Sequence, residues 1–165
     1  MNISKNIINK IFSKETIISL LVIIFVFTLD RITKTLIVNH QINNQSIFIY
    51  DYLNFDLVWN TGIGFGLLSQ NANLYYHSIS FLIFSVIIFL FYLITRVSLK
   101  EKILFSLILG GAIGNFYDRL IYFAVPDFID FHINDFHWFT FNIADIFITV
   151  GIILIIIRDF TVKKK

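Results

Sequence analysis

Cysteine is missing from all 165 residues, and proline occurs only once. The first absence excludes disulfides, a thiol nucleophile, thiolate-bound metal and lipid attachment to a cysteine of the chain's own. Charge is scarce as well. Asp, Glu, Lys and Arg make up 15% of the residues, against roughly a quarter in soluble domains. Runs of low complexity, internal repeats and Pro/Gly/Ser linkers are also lacking, so the chain reads as a single domain over 1–165.

What is present is apolar. Hydrophobic residues account for 57% of the chain and aromatics for 18%, with 20 phenylalanines. A core this small cannot bury them all, so lipid must solvate much of the chain. Four runs approach the roughly 20 apolar residues that a bilayer span requires, at about 16–38, 73–95, 103–121 and 141–158. The first run continues past Leu29 and has no small-residue cleavage site, so it reads as a retained helix and not as a signal peptide.

Positive charge is absent from His40 to Thr95 and again from Leu120 to Ile157. Lys5, Lys10 and Lys14 precede the first run. Arg96, Lys100 and Lys102 separate the second from the third, and Arg158, Lys163, Lys164 and Lys165 follow the fourth. This distribution predicts an all-α polytopic membrane protein with both termini cytoplasmic. Between the first two helices, about 44–60 is rich in strand formers and is expected to make a small sheet at the outer face. The second outer segment, Phe123 to Thr140, reads as a solvated interfacial loop.

Ionisable and amide side chains at membrane depth are candidates for function. Asp30 and Lys34 are spaced i,i+4 and are expected to pair near the end of helix one, with Lys34 snorkelling to the interface. Asn60 leads into Gly62, Gly64 and Gly66, either a turn or a loop that contacts a substrate. Gly110 and Gly114 form a small-residue face for helix packing. Packing leaves Asn115, Asp118 and Arg119 unexplained; Asn115 and Arg119 share a face, and Asp118 can pair with Arg119 or with another group. Asp127 and Asp145 flank the second outer segment and can return to one depth. Two carboxylates converging near lipid share a proton, and this is the state that general acid–base attack by water needs.

Other chemistries are weaker. Asp130, His132, Asp135 and His137 suggest a metal, but the histidines are five apart and lack an HExxH arrangement, so no metal is expected. His77 and Ser78 are neighbours on a helix and point apart, which argues against a Ser–His hydrolase. Two non-enzymatic readings also stand, a proton or ion carrier using the same carboxylates and a structural membrane subunit.

Five motifs in order resemble the lipoprotein signal peptidases (signal peptidase II, aspartyl protease family A8). They are Asp30-x-x-Thr33-Lys34, Asn60-x-Gly62-x-Gly64-Phe65, Gly110-Gly111-Ala112-x-Gly114-Asn115-x-x-Asp118-Arg119, Val125-x-Asp127-Phe128-Ile129-Asp130-Phe131 and Phe141-Asn142-x-Ala144-Asp145. The resemblance implies that Asp127 and Asp145 are the catalytic pair. It implies that Asn60, Gly62, Asn115, Arg119 and Asn142 line the site, with Asp118, Asp30 and Lys34 supporting it. The implied substrate is a bacterial prolipoprotein carrying a diacylglyceryl cysteine, cut just before that cysteine at the outer face of the cytoplasmic (inner) membrane. The resemblance calls for membrane lipid as a partner, no nucleic acid and no cofactor, and a monomer is expected. Pro126 stands where the family commonly has a second valine, and Gly64 and Gly66 replace a usual alanine and serine.

Overall fold

The computed structural model describes residues 13–41, 46–62, 74–134 and 136–162. Among the described residues, four helices, α1 (Lys14–Gln41), α2 (Leu74–Ile94), α3 (Leu99–Tyr122) and α4 (Ile143–Val162), accompany four strands. The strands are β1 (Ile47–Tyr50), β2 (Leu53–Asn60), β3 (Val125–Ile133) and β4 (Phe136–Phe141). Lys5, Lys10, Gly64, Gly66, Asp135 and Lys163 to Lys165 lie outside the described residues.

The helices close around α3, whose glycines set the distances. A Cβ at Gly110 would meet Val26 at 2.8 Å, and one at Gly111 would meet the Ala144 carbonyl at 2.6 Å. The expected Gly110 and Gly114 face therefore exists and packs on α1, while Gly111 beside it admits α4. Ile87 and Leu90 of α2 pack with Ile108 and Leu109 of α3. At one end of the bundle Lys102 pairs with Glu15 at 2.7 Å and Arg158 with Glu101 at 2.6 Å. The start of α1, the start of α3 and the end of α4 thus share that end. Helix α3 begins at Leu99, before the sequence boundary, because Glu101 reaches back to accept from the Ser98 backbone N–H at 2.8 Å.

Helices α1 and α2 are long and apolar enough to cross a membrane. Their outward faces carry Leu21, Phe25, Phe81 and Phe89, each more than half exposed, a surface suited to lipid rather than water. Helices α3 and α4 have 24 and 20 residues and hold their charged groups near their ends.

At the other end, the strands form one antiparallel sheet in the order β1-β2-β3-β4. The β-segment expected at 44–60 is present, as two strands from Ile47 to Asn60. The loop expected at Phe123 to Thr140 is not. That segment supplies β3 and β4, and helix four starts at Ile143 because Phe141 closes β4. Strand β3 hid from the sequence because Val125 to Asp130 are all buried, so no polar–apolar alternation marks it. Pro126 fits because β4 pairs only with Ile129 to Ile133, leaving β3 a free edge at that height.

The sheet is anchored to α1. Ile37 packs with Phe128 and Ile129, and Phe128 meets Phe55 edge-to-face with centroids 5.7 Å apart. Strand β2 bulges between Phe55 and Val58. The Gln41 amide fills the break, donating to the Phe55 carbonyl and accepting from the Leu57 N–H, each at 2.6 Å. The bulge sits just below Asn60 and the carboxylate of β3.

Candidate active site

Asp127 projects from β3, paired in register with Val58, and is buried. Its Oδ2 accepts from Asn60 Nδ2 at 2.9 Å and its Oδ1 from Asn142 Nδ2 at 2.6 Å. Asp145 lies in the first turn of α4. Its Oδ1 accepts from Asn115 Nδ2 at 2.8 Å and its Oδ2 from the Asn142 backbone N–H at 3.1 Å.

Asn142 joins the two. It caps α4, its Oδ1 accepting from the Asp145 N–H at 3.1 Å while its Nδ2 holds Asp127. This is the reciprocal cap of a helix start, with Asn and Asp in place of the usual Ser/Thr and Glu. The side chain of Asn142 is fully buried. Its conformation is fixed by the helix it starts, so it presents one carboxylate to the other with little freedom. An apolar groove of about 260 Å³ runs outward from Asp145, lined by Phe139, Phe141, Ile146, Thr149 and Val150.

Burial and then the Asp145 charge push the Asp127 carboxyl up, hydrogen bonds from Asn60 and Asn142 oppose them, and the balance stands at about 7. Among the described residues, every hydrogen-bond donor to Asp127 and Asp145 is an amide. The pair therefore has dipoles to orient it and no hydrogen-bonded cation to hold it ionised. One proton shared across two carboxyls near neutral pH is the acid–base inventory for hydrolysing an amide with water.

The remaining sequence candidates join this centre. Asn60 Oδ1 accepts from the Gly62 N–H at 2.9 Å, and the Gly62 carbonyl accepts from Arg119 Nη2 at 2.8 Å. Arg119 also donates to the Asn115 carbonyl at 3.1 Å. Lys34 does not snorkel. It is 1% exposed and donates to Asp30 at 2.9 Å, to Asn115 Oδ1 at 2.7 Å and to Asp118 at 2.8 Å. The carboxylates beside it hold the ammonium in place more strongly than a distant interface can. Asp118 pairs with Lys34 and Arg31, not with its neighbour Arg119. Asp30 spends its second oxygen on the Ala144 N–H at 3.1 Å, a second tie on the start of α4.

Two residues outside the sequence candidates belong here. Arg31 bonds both Asp30 and Asp118 while its guanidinium lies 5.0 Å from the centre of the Tyr117 ring. Tyr76 donates to the Arg119 carbonyl at 2.6 Å. Arg31 follows Asp30 directly in α1. A charged residue on an otherwise apolar helix was the available signal. Tyr76 had none, being one of seven tyrosines.

Comparison with known proteins gives the class first. Two solved bacterial membrane enzymes share the fold at 33% identity, with TM-scores of 0.74 and 0.71. The first alignment covers 87% of each chain; the second covers 85% of this chain and 90% of the other. Helices and sheet share the fold of a membrane enzyme. The family follows from sequence: the family model for Signal peptidase (SPase) II matches residues 22–161. The lipoprotein signal peptidase of Pelagibacter ubique is 44% identical over 95% of this chain and 96% of its own length. That of Francisella tularensis subsp. novicida is 43% identical over 86% and 91%. The chain belongs to the signal peptidase II family and is a protease. The carrier and structural-subunit readings therefore fall.

Proposed function

We propose that this chain is an aspartyl endopeptidase that removes signal peptides from diacylglyceryl-modified prolipoproteins, cutting just before the lipidated cysteine. Asp127 and Asp145 are the catalytic pair. The observation that carries this reading is the shared Asn142, which binds one carboxylate with its side chain while capping the helix that bears the other. One carboxylate takes a proton from water as the water oxygen bonds to the scissile carbonyl carbon. The protonated partner donates to the carbonyl oxygen. Collapse breaks the C–N bond as the first carboxyl passes its proton to the leaving nitrogen and the partner regains one from a hydroxyl of the intermediate, which leaves the signal peptide's carboxyl group and the free amine of the lipidated cysteine.

All four helices span the bilayer, with both termini in the cytoplasm and the sheet at the outer face of the bacterial inner membrane. The shared end of α1, α3 and α4 and the distribution of Lys and Arg support that orientation. The substrate's lipid and its apolar signal helix are already held in the membrane. The enzyme has to bring one amide to the pair, so much of the rate advantage is positioning. Asn60, Gly62, Asn115, Arg119 and Asn142 orient the pair and the substrate backbone, while Asp30, Lys34 and Asp118 brace them. The whole chain works as one domain and as a monomer.

The test is cleavage of a diacylglyceryl-modified prolipoprotein by detergent-purified protein, followed by size on a gel. Wild type converts it, whereas Asp127→Asn and Asp145→Asn, folded and monodisperse, lose about a thousandfold or more of the rate. Full activity in either variant overturns the pair.

A further inference from the structure

On the face of the sheet opposite Asp127 lies a second cluster that the proteolysis does not use. Asp130 follows Asp127 by three positions on β3, so it points to the other side, and His132 shares that side two residues on. Strand β4 bulges between the pairs Phe131–Phe139 and His132–His137, leaving Trp138 unpaired. The bulge brings His137 opposite His132 and onto the Asp130 face. Two histidines five apart in the chain thus become cross-strand neighbours, with their rings stacked at 5.3 Å.

Both rings aim Nδ1 at one carboxylate oxygen. Asp130 Oδ2 lies 2.8 Å from His137 Nδ1 and 3.3 Å from His132 Nδ1. The first contact is a hydrogen bond; the second is not aligned for one. Asp130 and His132 are 2% and 8% exposed, yet Asp130 Oδ1 and His132 Nδ1 have no hydrogen-bond partner among the described residues. Asn54, opposite Asp130 on β2 and hence on the same face, also has an unpartnered buried Oδ1. Buried acceptors left unmet are costly. Here they converge, and one ligand atom from each of Asp130, His132 and His137 lies within 4.8 Å of the other two.

We propose that Asp130, His132 and His137 bind a divalent transition metal ion, with Zn²⁺ the best match to two imidazoles and a carboxylate. Tetrahedral zinc sets its ligand atoms roughly 3.3 Å apart. The half-exposed His137 is free to close the remaining gap. Asn54 Oδ1 or water takes the fourth position. Because the ion lies across the sheet from Asp127, it takes no part in hydrolysis. It pins β3, which carries Asp127, to β4, which leads into Asn142. The site does not depend on which residues cleave the peptide.

The test uses full-length protein purified in detergent without a histidine tag, stripped with a chelator and titrated with Zn²⁺ alone. Wild type takes up one ion per chain. His137→Gln, at an exposed position that leaves the core untouched, weakens binding about tenfold or more. His77→Gln, on α2 and away from the sheet, binds like wild type. Absence of saturable binding in wild type, or unchanged affinity in His137→Gln, overturns the site.

Discussion

Two groups of carboxylates meet at Asn115 and are held in different ways. Asp30 and Asp118 are matched one for one by Arg31 and Lys34 at 2.6 to 3.1 Å, so that group is neutral and rigid. Among the described residues, Asp127 and Asp145 receive amide donors from Asn60, Asn115 and Asn142 and no hydrogen bond from a cation. The first group is held by ion pairs and the second by amide dipoles, and charge pairing stabilises an ionised carboxylate more than an amide dipole does. Asn115 accepts from Lys34 and donates to Asp145, so it links the position of the first group to that of the second. Bracing and chemistry are divided between neighbouring clusters.

The largest way to break this contrast is Lys34→Met. It leaves one buried negative charge uncompensated and should cost about 3–5 kcal/mol in thermal unfolding of the detergent-solubilised protein. Adding Asp118→Asn restores the balance and should recover much of that loss. A double variant as unstable as the single would show that charge balance is not what the cluster provides.

Gly114→Ala tests the brace sterically. The new Cβ would lie 2.6 Å from Asp30 Oδ2, and Asp30 is held by Arg31, Lys34 and the Ala144 N–H. With no room to yield, about 1–3 kcal/mol should be lost, and cleavage should fall with it because α4 shifts.

Asn142→Ala acts on the other cluster. It removes the helix cap, about 1 kcal/mol of stability, and a donor that favours ionised Asp127. The Asp127 carboxyl should therefore titrate above 7, visible as a shift of the neutral-pH limb in the pH–rate profile. An unchanged limb would break the link between Asn142 and the proton.

Asp145→Asn has the subtlest titration effect. It removes the neighbouring charge but leaves Asp127 buried. The Asp127 carboxyl should drop below 7 and stay above the usual range, as read from its infrared carbonyl band. The sign for stability follows. Unfolded Asp127 ionises near pH 4 while the folded chain holds the proton to about 7, so stability declines between those values as pH rises and then levels off. In Asp145→Asn the decline should end at lower pH.

The sequence by itself determined the solvent, the helices and which polar groups stand out among them. Apolar runs of bilayer length are a one-dimensional property, and an aspartate among them stands out because burying it is costly. Asp127, Asp145 and the asparagines were legible for that reason, and the five motifs pointed to the family. The cap in which Asn142 and Asp145 satisfy one another spans only four residues, yet it emerged with the structure.

Only the tertiary structure decided partners. Lys34 reads as an interfacial lysine until α3 brings Asn115 and Asp118 to it. Phe123 to Thr140 reads as a loop until β2 covers one edge of β3 and burial erases its alternation. His132 and His137 read as unrelated until a one-residue bulge in β4 turns five positions of sequence into a cross-strand pair. Each depends on contacts between residues distant in the chain, where local propensity says nothing about which polar group will meet which.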